Sequence, residues 1–186
     1  MPIRVIGGTA HGRTLKGPQR DTTRPTSDRV REALFDILAS HGCEPSLVLD
    51  LYSGTGALGI EALSRGAEHC DFVEANARAC EVIRENLRLT GLQEGGRVYS
   101  LTVAKALSRL SGPYDLVVAD PPYEYDRAQK ELTDLIEKGL LADDGVLAVE
   151  HSKRHEWPPV LAGREQLTTR RYGDTAITLY TRPADA

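Results

Sequence analysis

From about residue 46 onward the sequence alternates short apolar runs with amphipathic segments, and this alternation constrains the fold more than any other feature. The apolar runs SLVLDLY, HCDFVEA, RVYSLTV, DLVVAD and GVLAVEH each have the length of a strand. The segments between them have helical patterns, at residues 57–65, 76–91 and 127–138, with a shorter one that ends near Leu110. This repeat predicts a mostly parallel sheet with helices on both faces.

The two ends of the chain depart from this repeat. Residues 164–182 contain two β-segments around Gly173-Asp174, which predicts an antiparallel hairpin. Residues 25–42 form one amphipathic pattern that Thr26 or Ser27 can cap, and IRVIGGTAHGRTLKGP before it has the Gly-rich turns of a small hairpin. We therefore expect a Rossmann-like α/β fold with a seven-stranded, mostly parallel sheet. A basic N-terminal hairpin or arm (residues 1–25) would precede the main domain (residues 26–186).

The composition is that of an ordinary soluble globular protein, with 186 residues of which 40% are apolar and 27% charged. No apolar run approaches the length that spans a membrane, and the first residues lack the apolar core of a signal peptide. The three cysteines form no CxxC motif. We expect reduced thiols in a cytoplasmic protein, with no metal site and no disulfide.

Charge is distributed unevenly along the chain. Residues 1–31 hold seven basic and two acidic residues, although the formal charge of the whole chain is −4. A basic arm on an acidic body favours a polyanionic partner that is met at one end. The alternative is a solvated loop with ordinary charges.

A glycine-rich loop lies between the first apolar run and the helix after it. Gly54, Gly56 and Gly59 form a GxGxxG pattern, and Glu74 follows at the end of the second strand. Glycines at this place let the backbone turn tightly and approach a ligand, and a carboxylate here can accept hydrogen bonds from ribose hydroxyls. The spacing by itself makes a dinucleotide-binding fold a candidate.

Asp50 argues for a different ligand, because it lies inside the apolar strand, four residues before Gly54. Burying a carboxylate costs several kcal/mol unless it has a partner. The cationic S-adenosylmethionine would supply that partner better than the pyrophosphate of NAD. Little chain remains after the sheet for the substrate domain of a dehydrogenase. The alternative is that Asp50 accepts hydrogen bonds from backbone amides of the glycine turn.

The segment from Asp50 to Gly59 resembles motif I of class I S-adenosylmethionine-dependent methyltransferases. The resemblance implies a cofactor site at Asp50, Tyr52, Ser53, Gly54, Thr55, Gly56, Gly59 and Glu74, where Glu74 binds the ribose. The sequence DPPY, residues 120–123, resembles the motif of enzymes that methylate exocyclic amines of nucleobases. Read without the resemblance, DPPY is a strand end followed by a rigid turn.

The DPPY sequence suits amine methylation because such an amine is a poor nucleophile, its lone pair being delocalised into the ring. Asp120 and the carbonyl of Pro121 can accept hydrogen bonds from the amine, and Pro121-Pro122 holds the turn rigid. Tyr123 can stack on the base, which contributes roughly 1–3 kcal/mol. Asp120, Pro121, Pro122 and Tyr123 are therefore our candidate catalytic residues.

The N-terminal block, RVIGGTAHGRTLKGP followed by TRPTSDRVREALFDIL, resembles the RsmD family of bacterial 16S ribosomal RNA guanine-N2 methyltransferases. The resemblance covers almost the whole chain. It implies methylation of guanine 966 (in ribosomal RNA numbering) in the 30S subunit or its assembly intermediate. We also expect a monomer. The residues that would contact RNA phosphates are Arg13, Lys16, Arg20, Arg24 and Arg29.

Other functions stay open on the sequence alone. A methyltransferase acting on adenine or cytosine in DNA or another RNA could share both motifs, although such DNA enzymes usually carry a further target-recognition domain. An NAD-binding oxidoreductase and a non-catalytic RNA-binding protein are further alternatives, and the latter would not need Asp120. Beyond strand three, SLTVAKAL offers only Thr102 and backbone amides to hold an adenine ring.

Overall fold

A computed structural model of the protein describes residues 2–18 and 27–184. Its strands form a two-stranded hairpin and one eight-stranded sheet. The strands are β1 Ile3–Arg4, β2 Thr14–Leu15, β3 Leu47–Leu51, β4 His69–Glu74, β5 Gly96–Ser100, β6 Tyr114–Ala119, β7 Leu141–Ser152, β8 Val160–Leu161, β9 Arg164–Tyr172 and β10 Thr175–Thr181.

The large sheet has the order β5-β4-β3-β6-β7-β10-β9-β8. The first five strands in this order are parallel, and β10, β9 and β8 add antiparallel pairings. The predicted α/β architecture and both hairpins are confirmed. The predicted strand number of seven is one too low, because β8 has only two residues and so shows no periodicity in the sequence.

Five α-helices connect the strands in the described residues. They are α1 Asp28–Ser40, α2 Ala57–Ser64, α3 Ala77–Thr90, α4 Val103–Ala106 and α5 Ala128–Glu137, and a short 3-10 helix spans Gln93–Gly95. Ser27 caps α1, since its side chain accepts a hydrogen bond from the backbone N–H of Val30 at 3.2 Å. The alternative cap, Thr26, lies outside the described residues.

Side chains alternate between the two faces of the sheet and feed two separate cores. In β3, Val48 packs with α1, α2 and α3, whereas Leu49 and Leu51 pack with α4 and α5. The same alternation continues through β4, β6 and β7. By this alternation Asp50 shares the α2 side of the sheet with Val48, which places its carboxylate beside the glycine loop.

The N-terminal hairpin packs directly on α2. Its apolar residues Ile3, Val5 and Leu15 belong to the core on that side of the sheet. The buried carboxylate of Glu61 in α2 accepts hydrogen bonds from the backbone N–H groups of Ile6 and Gly7, at 2.9 and 2.8 Å. The hairpin is therefore held by apolar burial and by hydrogen bonds together. The predicted boundary between residues 25 and 26 lies in the segment outside the described residues.

All three cysteines are free. Across residues 2–18 and 27–184, no helix has both the length and the apolar character needed to cross a membrane.

Candidate active site

A cleft of about 1560 Å³ opens at the carboxyl ends of the parallel strands. Its lining includes the glycine loop, the end of β4, residues 120–125 after β6 and the start of β10. Open α/β sheets bind ligands at this edge. Pockets for one small molecule measure about 300–1000 Å³, so this cleft has room for a cofactor and part of a second ligand.

Four carboxylate residues lie in a row across the floor of the cleft. They are Glu74, Asp50, Asp120 and Glu150, at the carboxyl ends of the adjacent strands β4, β3, β6 and β7. Each stands two residues after a side chain packed on the α2 side of the sheet, namely Phe72, Val48, Val118 and Ala148. Strand alternation therefore points all four to the same face, where the glycine loop lies.

Asp50 is the most deeply buried of the four, with 1% of its surface exposed. One carboxylate oxygen accepts a hydrogen bond from the backbone N–H of Gly59 at 2.9 Å, so the capping interpretation holds for that oxygen. Burial raises the pKa of Asp50 well above its ordinary value, and the charges of Asp120 and Glu74 raise it further. A buried carboxyl group next to two like charges favours a cationic ligand.

We expect Asp50→Asn to stabilise the unliganded protein while weakening binding of a cationic ligand. Because folding raises the pKa of Asp50, this group contributes full stability only below its unfolded pKa, and that contribution falls as the pH rises. Asparagine keeps an acceptor for Gly59 without the charge. The free energy of unfolding at pH 7 should rise by about 1–3 kcal/mol, with little change near pH 3.

Thermal unfolding of both proteins across this pH range measures the difference. The exposed Asp36→Asn in α1 serves as the control for a generic change of charge. If Asp50→Asn is less stable than wild type at pH 7, burial of the charged Asp50 carboxylate does not destabilise the folded protein.

The glycine loop is tied closely to β3 and β4. The Ser53 hydroxyl donates to the carbonyl of Asp50 at 2.6 Å, and the backbone N–H of Ser53 donates to Val73 at 3.1 Å. A Cβ on Gly59 would stand 2.4 Å from a ring carbon of Phe72 in β4. Glycine is therefore required at position 59 because α2 packs against β4 at this point.

Glu74 braces the same loop. One carboxylate oxygen accepts from the backbone N–H of Gly54 at 2.8 Å, and the other accepts from the N–H of Asn76 at 2.9 Å. Gly54 itself is exposed, with φ of +56° and open space where a side chain would be. The structure thus brings Glu74 and the glycine loop together at one edge of the cleft, as their spacing predicts.

Tyr52 has a strained backbone. Its φ is 54°, and Ala162 is the other non-glycine residue with positive φ in the described chain. For a bulky side chain such a conformation costs about 1–3 kcal/mol. The Tyr52 hydroxyl donates to a carboxylate oxygen of Glu131 at 2.5 Å, which helps to hold this conformation.

The DPPY residues form the wall of the cleft opposite Glu74. Pro121 is buried, and the carbonyl of Pro122 accepts a hydrogen bond from the backbone N–H of Tyr125 at 2.9 Å, which closes a tight turn. The Tyr123 side chain is 39% exposed, and its hydroxyl lies 2.6 Å from Oγ1 of Thr175 in β10. Tyr123 therefore presents an anchored aromatic ring to the cleft.

Three of the five basic residues predicted to contact RNA lie in the described part of the chain, at two different places. Arg29 is exposed and lines the cleft. Arg13 and Lys16 lie against α3, where Arg13 donates to the carbonyl of Leu89 at 3.3 Å and Lys16 lies 3.3 Å from the Glu85 carboxylate. The two remaining candidates, Arg20 and Arg24, lie outside the described residues.

Three residues that the sequence did not single out belong to the site or support it. Glu150 lines the cleft next to Asp120, and Glu131 binds two of the tyrosines of the cleft. The buried amide of Asn86 joins the backbone of Lys16 to the carbonyl of Thr55 in the glycine loop. The only sequence signal for them is that each is polar within an apolar or amphipathic run.

Thr102 also lines the cleft, but its hydroxyl is engaged elsewhere. It accepts a hydrogen bond from the backbone N–H of Lys105 at 3.4 Å and so caps α4. Leu101 and Val103 beside it give this part of the cleft an apolar surface. A planar ring bound here would be held mainly by apolar contact and by backbone groups.

The parallel sheet, the glycine loop after its central strand and the antiparallel C-terminal hairpin are those of a class I methyltransferase. The Escherichia coli protein yhhF shares this fold across 99% of both chains, with a TM-score of 0.85 and 34% identity. An RNA methyltransferase from Salinibacter ruber, solved with S-adenosyl-L-homocysteine, covers 88% of this chain and 96% of its own, with a TM-score of 0.67. At 17% identity that second likeness concerns the fold alone.

The family follows from the sequence comparison. A family model described as "Conserved hypothetical protein 95" matches residues 3–181. Ribosomal RNA small subunit methyltransferase D of Escherichia coli is 35% identical over 187 residues, which is 98% of this chain and 91% of that protein. The chain belongs to this methyltransferase family, the RsmD family, as its N-terminal block predicts.

Proposed function

We propose that this protein transfers a methyl group from S-adenosylmethionine to the exocyclic N2 amine of a guanine in 16S ribosomal RNA. By its resemblance to the RsmD family, the target is guanine 966 in the 30S subunit or its assembly intermediate. We propose that the protein acts in the cytoplasm as a monomer. The observation that carries the proposal is that the DPPY turn and the glycine loop line one cleft.

The residues of the cleft suit S-adenosylmethionine. The buried Asp50 lies near the negative charges of Glu74 and Asp120, so a cationic ligand relieves their repulsion. The exposed Gly54 leaves open space beside Glu74, whose carboxylate can accept hydrogen bonds from ribose hydroxyls. When bound, S-adenosylmethionine supplies an electrophilic methyl group on a sulfonium sulfur.

The DPPY turn would act on the target base. Asp120 and the Pro121 carbonyl accept hydrogen bonds from the amine, which shifts electron density back to its nitrogen and relieves positive charge as the nitrogen–carbon bond forms. Tyr123 stacks on the base and offsets part of the cost of unstacking it, a few kcal/mol. Positioning supplies much of the rate enhancement.

Glu150 supports guanine as the base that is recognised. The parallel register pairs Ala119 with Val149, so Asp120 and Glu150 follow side by side at the ends of adjacent strands. The Watson–Crick edge of guanine presents two kinds of donor, the N1–H and the N2 amine, whereas adenine has an acceptor at N1. A carboxylate accepts hydrogen bonds only, so Asp120 and Glu150 together match guanine.

Glu150→Gln should reduce the preference for guanine over 2-aminopurine, a base that keeps the N2 amine but has an acceptor at N1. Wild type should prefer guanine by about 10- to 100-fold, because 2-aminopurine sets an acceptor nitrogen against the Glu150 carboxylate where guanine sets a donor. The glutamine amide can donate a hydrogen bond to the N1 of 2-aminopurine. We therefore expect the variant to have a smaller ratio of methyl-transfer rates on guanine and 2-aminopurine. Methyl transfer to particles reconstituted with each base measures it, with the exposed cleft residue Glu124→Gln as control. An unchanged ratio would remove Glu150 from base recognition.

Glu74→Ala should weaken S-adenosylmethionine binding by about 10- to 100-fold, because charge-assisted hydrogen bonds worth roughly 1–3 kcal/mol are lost. Alanine also removes the brace on Gly54 and Asn76. Glu74→Gln keeps one acceptor oxygen and should fall between alanine and wild type. Calorimetric titration measures the three affinities, and a folded alanine variant with wild-type affinity would exclude Glu74 from the cofactor site.

Transfer of tritiated methyl groups tests the function itself. Labelled S-adenosylmethionine is offered with 16S RNA, with 30S particles that lack the modification, and with DNA. We expect label in the RNA of the particles, located on a guanine N2 after nuclease digestion. Label in DNA, or on adenine or cytosine, would support the alternative amine methyltransferases, and no transfer to any substrate would overturn the proposal.

A further inference from the structure

A cluster of three side chains, which we call the tyrosine clamp, joins the two halves of the cleft. It consists of Tyr52, Glu131 and Tyr125. Glu131 in α5 is 5% exposed, and its two carboxylate oxygens accept hydrogen bonds from the hydroxyls of Tyr52 at 2.5 Å and Tyr125 at 2.7 Å. Each carboxylate oxygen thus holds one tyrosine hydroxyl, so this single group is the hydrogen-bond partner of both rings.

The clamp spans three elements of the fold. Tyr52 lies at the start of the glycine loop, Tyr125 lies two residues after Tyr123 of the DPPY turn, and Glu131 belongs to α5. The rings of Tyr52 and Tyr125 meet edge to face with their centroids 5.8 Å apart, and both residues line the cleft. The cofactor side and the base side are therefore connected through one buried carboxylate.

Two further observations show that the arrangement of the tyrosines depends on their contacts with Glu131. The backbone of Tyr52 is strained, and such conformations persist where the surroundings restrain them. Burial, and to a smaller extent the hydrogen bond to Glu131, raises the pKa of Tyr52. The hydrogen bond to Glu131 is also the main cause that raises the pKa of Tyr125. Both hydroxyls therefore remain protonated at neutral pH and act as donors.

We propose that Glu131 is a positioning residue that couples cofactor binding to binding of the target base, by holding Tyr52 and Tyr125 in one arrangement. The inference rests on the proposed function and deepens it. A ligand that orders the glycine loop also orders Tyr52, and through Glu131 it orders Tyr125 and the DPPY turn. The second ligand then meets a site that is already ordered, and the effect is reciprocal.

The test compares cofactor binding with and without RNA. The dissociation constant of S-adenosyl-L-homocysteine is measured alone and in the presence of saturating 30S particles that lack the modification. Wild type should bind it at least about fivefold more tightly with particles present, the lower end of usual coupling. Tyr52→Phe and Tyr125→Phe should each reduce this factor towards one, and the double variant should lose little more than either alone. Single-turnover methyl transfer should fall in parallel.

A second buried tyrosine–carboxylate pair gives a matched control. The hydroxyl of Tyr114 donates to Asp71 at 2.5 Å, in the core on the α4 and α5 side of the sheet. Tyr114→Phe should lower the melting temperature without changing the coupling factor. Glu131→Gln keeps one acceptor oxygen, so its coupling factor should lie between one and the wild-type value. Glu131→Ala keeps no acceptor, so its coupling factor should be close to one.

The outcomes separate the two proposals. If the clamp variants lose only stability, as we expect of Tyr114→Phe, and keep wild-type coupling and turnover, the clamp proposal is overturned. A wild-type protein in which particles leave the cofactor affinity unchanged overturns it as well. Failure of wild type to methylate RNA overturns the proposed function instead, and the tritium experiment detects this before any variant is made.

Discussion

Asp120→Ala should slow methyl transfer by about 10²-fold or more, the usual loss when one preorganised electrostatic contact is removed. Asp120 stands at the end of β6, between Asp50 and Glu150 in the row of carboxylates. Alanine removes the side-chain acceptor that would bind the target amine. Cofactor affinity should change much less than turnover, because we place this side chain next to the amine.

Asp120→Asn distinguishes hydrogen bonding from charge. Asparagine keeps an acceptor oxygen but loses the negative charge, so measurable activity should remain. Single-turnover methyl transfer at saturating substrate compares the three proteins. An alanine variant as fast as wild type would contradict the catalytic role of Asp120. An asparagine variant as slow as alanine would show that charge or proton acceptance dominates.

Gly8→Ala should have the largest effect on stability. Gly8 has φ of +77°, and a Cβ there would stand 1.7 Å from the carbonyl oxygen of Ser64 at the end of α2. That oxygen also accepts the backbone N–H of Thr9 at 2.8 Å, so neither side can move without breaking the contact. We expect the free energy of unfolding to fall by at least about 4 kcal/mol, which is exceptional for a single substitution.

Gly12→Ala in the same hairpin is the control. Gly12 has φ of +80°, but no atom lies within 4 Å of the position that a Cβ would take, so alanine there meets backbone strain without a collision. That strain costs about 1–2 kcal/mol. At about 2–4 °C per kcal/mol for a chain of this size, thermal unfolding should separate the two variants clearly. Equal losses would mean that the hairpin moves away from α2 at little cost.

The N-terminal hairpin carries basic residues and is also part of the folded core. Arg13 and Lys16 are held against α3, on a hairpin whose apolar residues complete the core next to α2. The proposal that they contact RNA phosphates is therefore best tested by substitution of single charges. Deletion of the arm would expose that core and remove two of the hydrogen-bond donors to Glu61, the backbone N–H groups of Ile6 and Gly7.

The parallel sheet, the glycine loop and the DPPY turn could be predicted from the sequence because each is specified by neighbours in the chain. Strand and helix periods identified β3 to β7, and the positions of Asp50, Glu74 and Asp120 followed from the strand ends. Prolines and glycines marked the turns between them. The sequence therefore predicts three of the four acidic side chains that lie in a row at this edge of the sheet.

What only the tertiary structure decided is which distant side chains meet in and around that row. Glu131 is 79 residues from Tyr52, and Asn86 is 70 residues from the arm residue Lys16. Strand register placed Glu150 beside Asp120, and packing of α5 brought Glu131 between two tyrosines. Local patterns show which face of an element is buried, but they do not specify its partner. Partners depend on the order of the strands and on the way each helix packs across them, and both are properties of the whole chain.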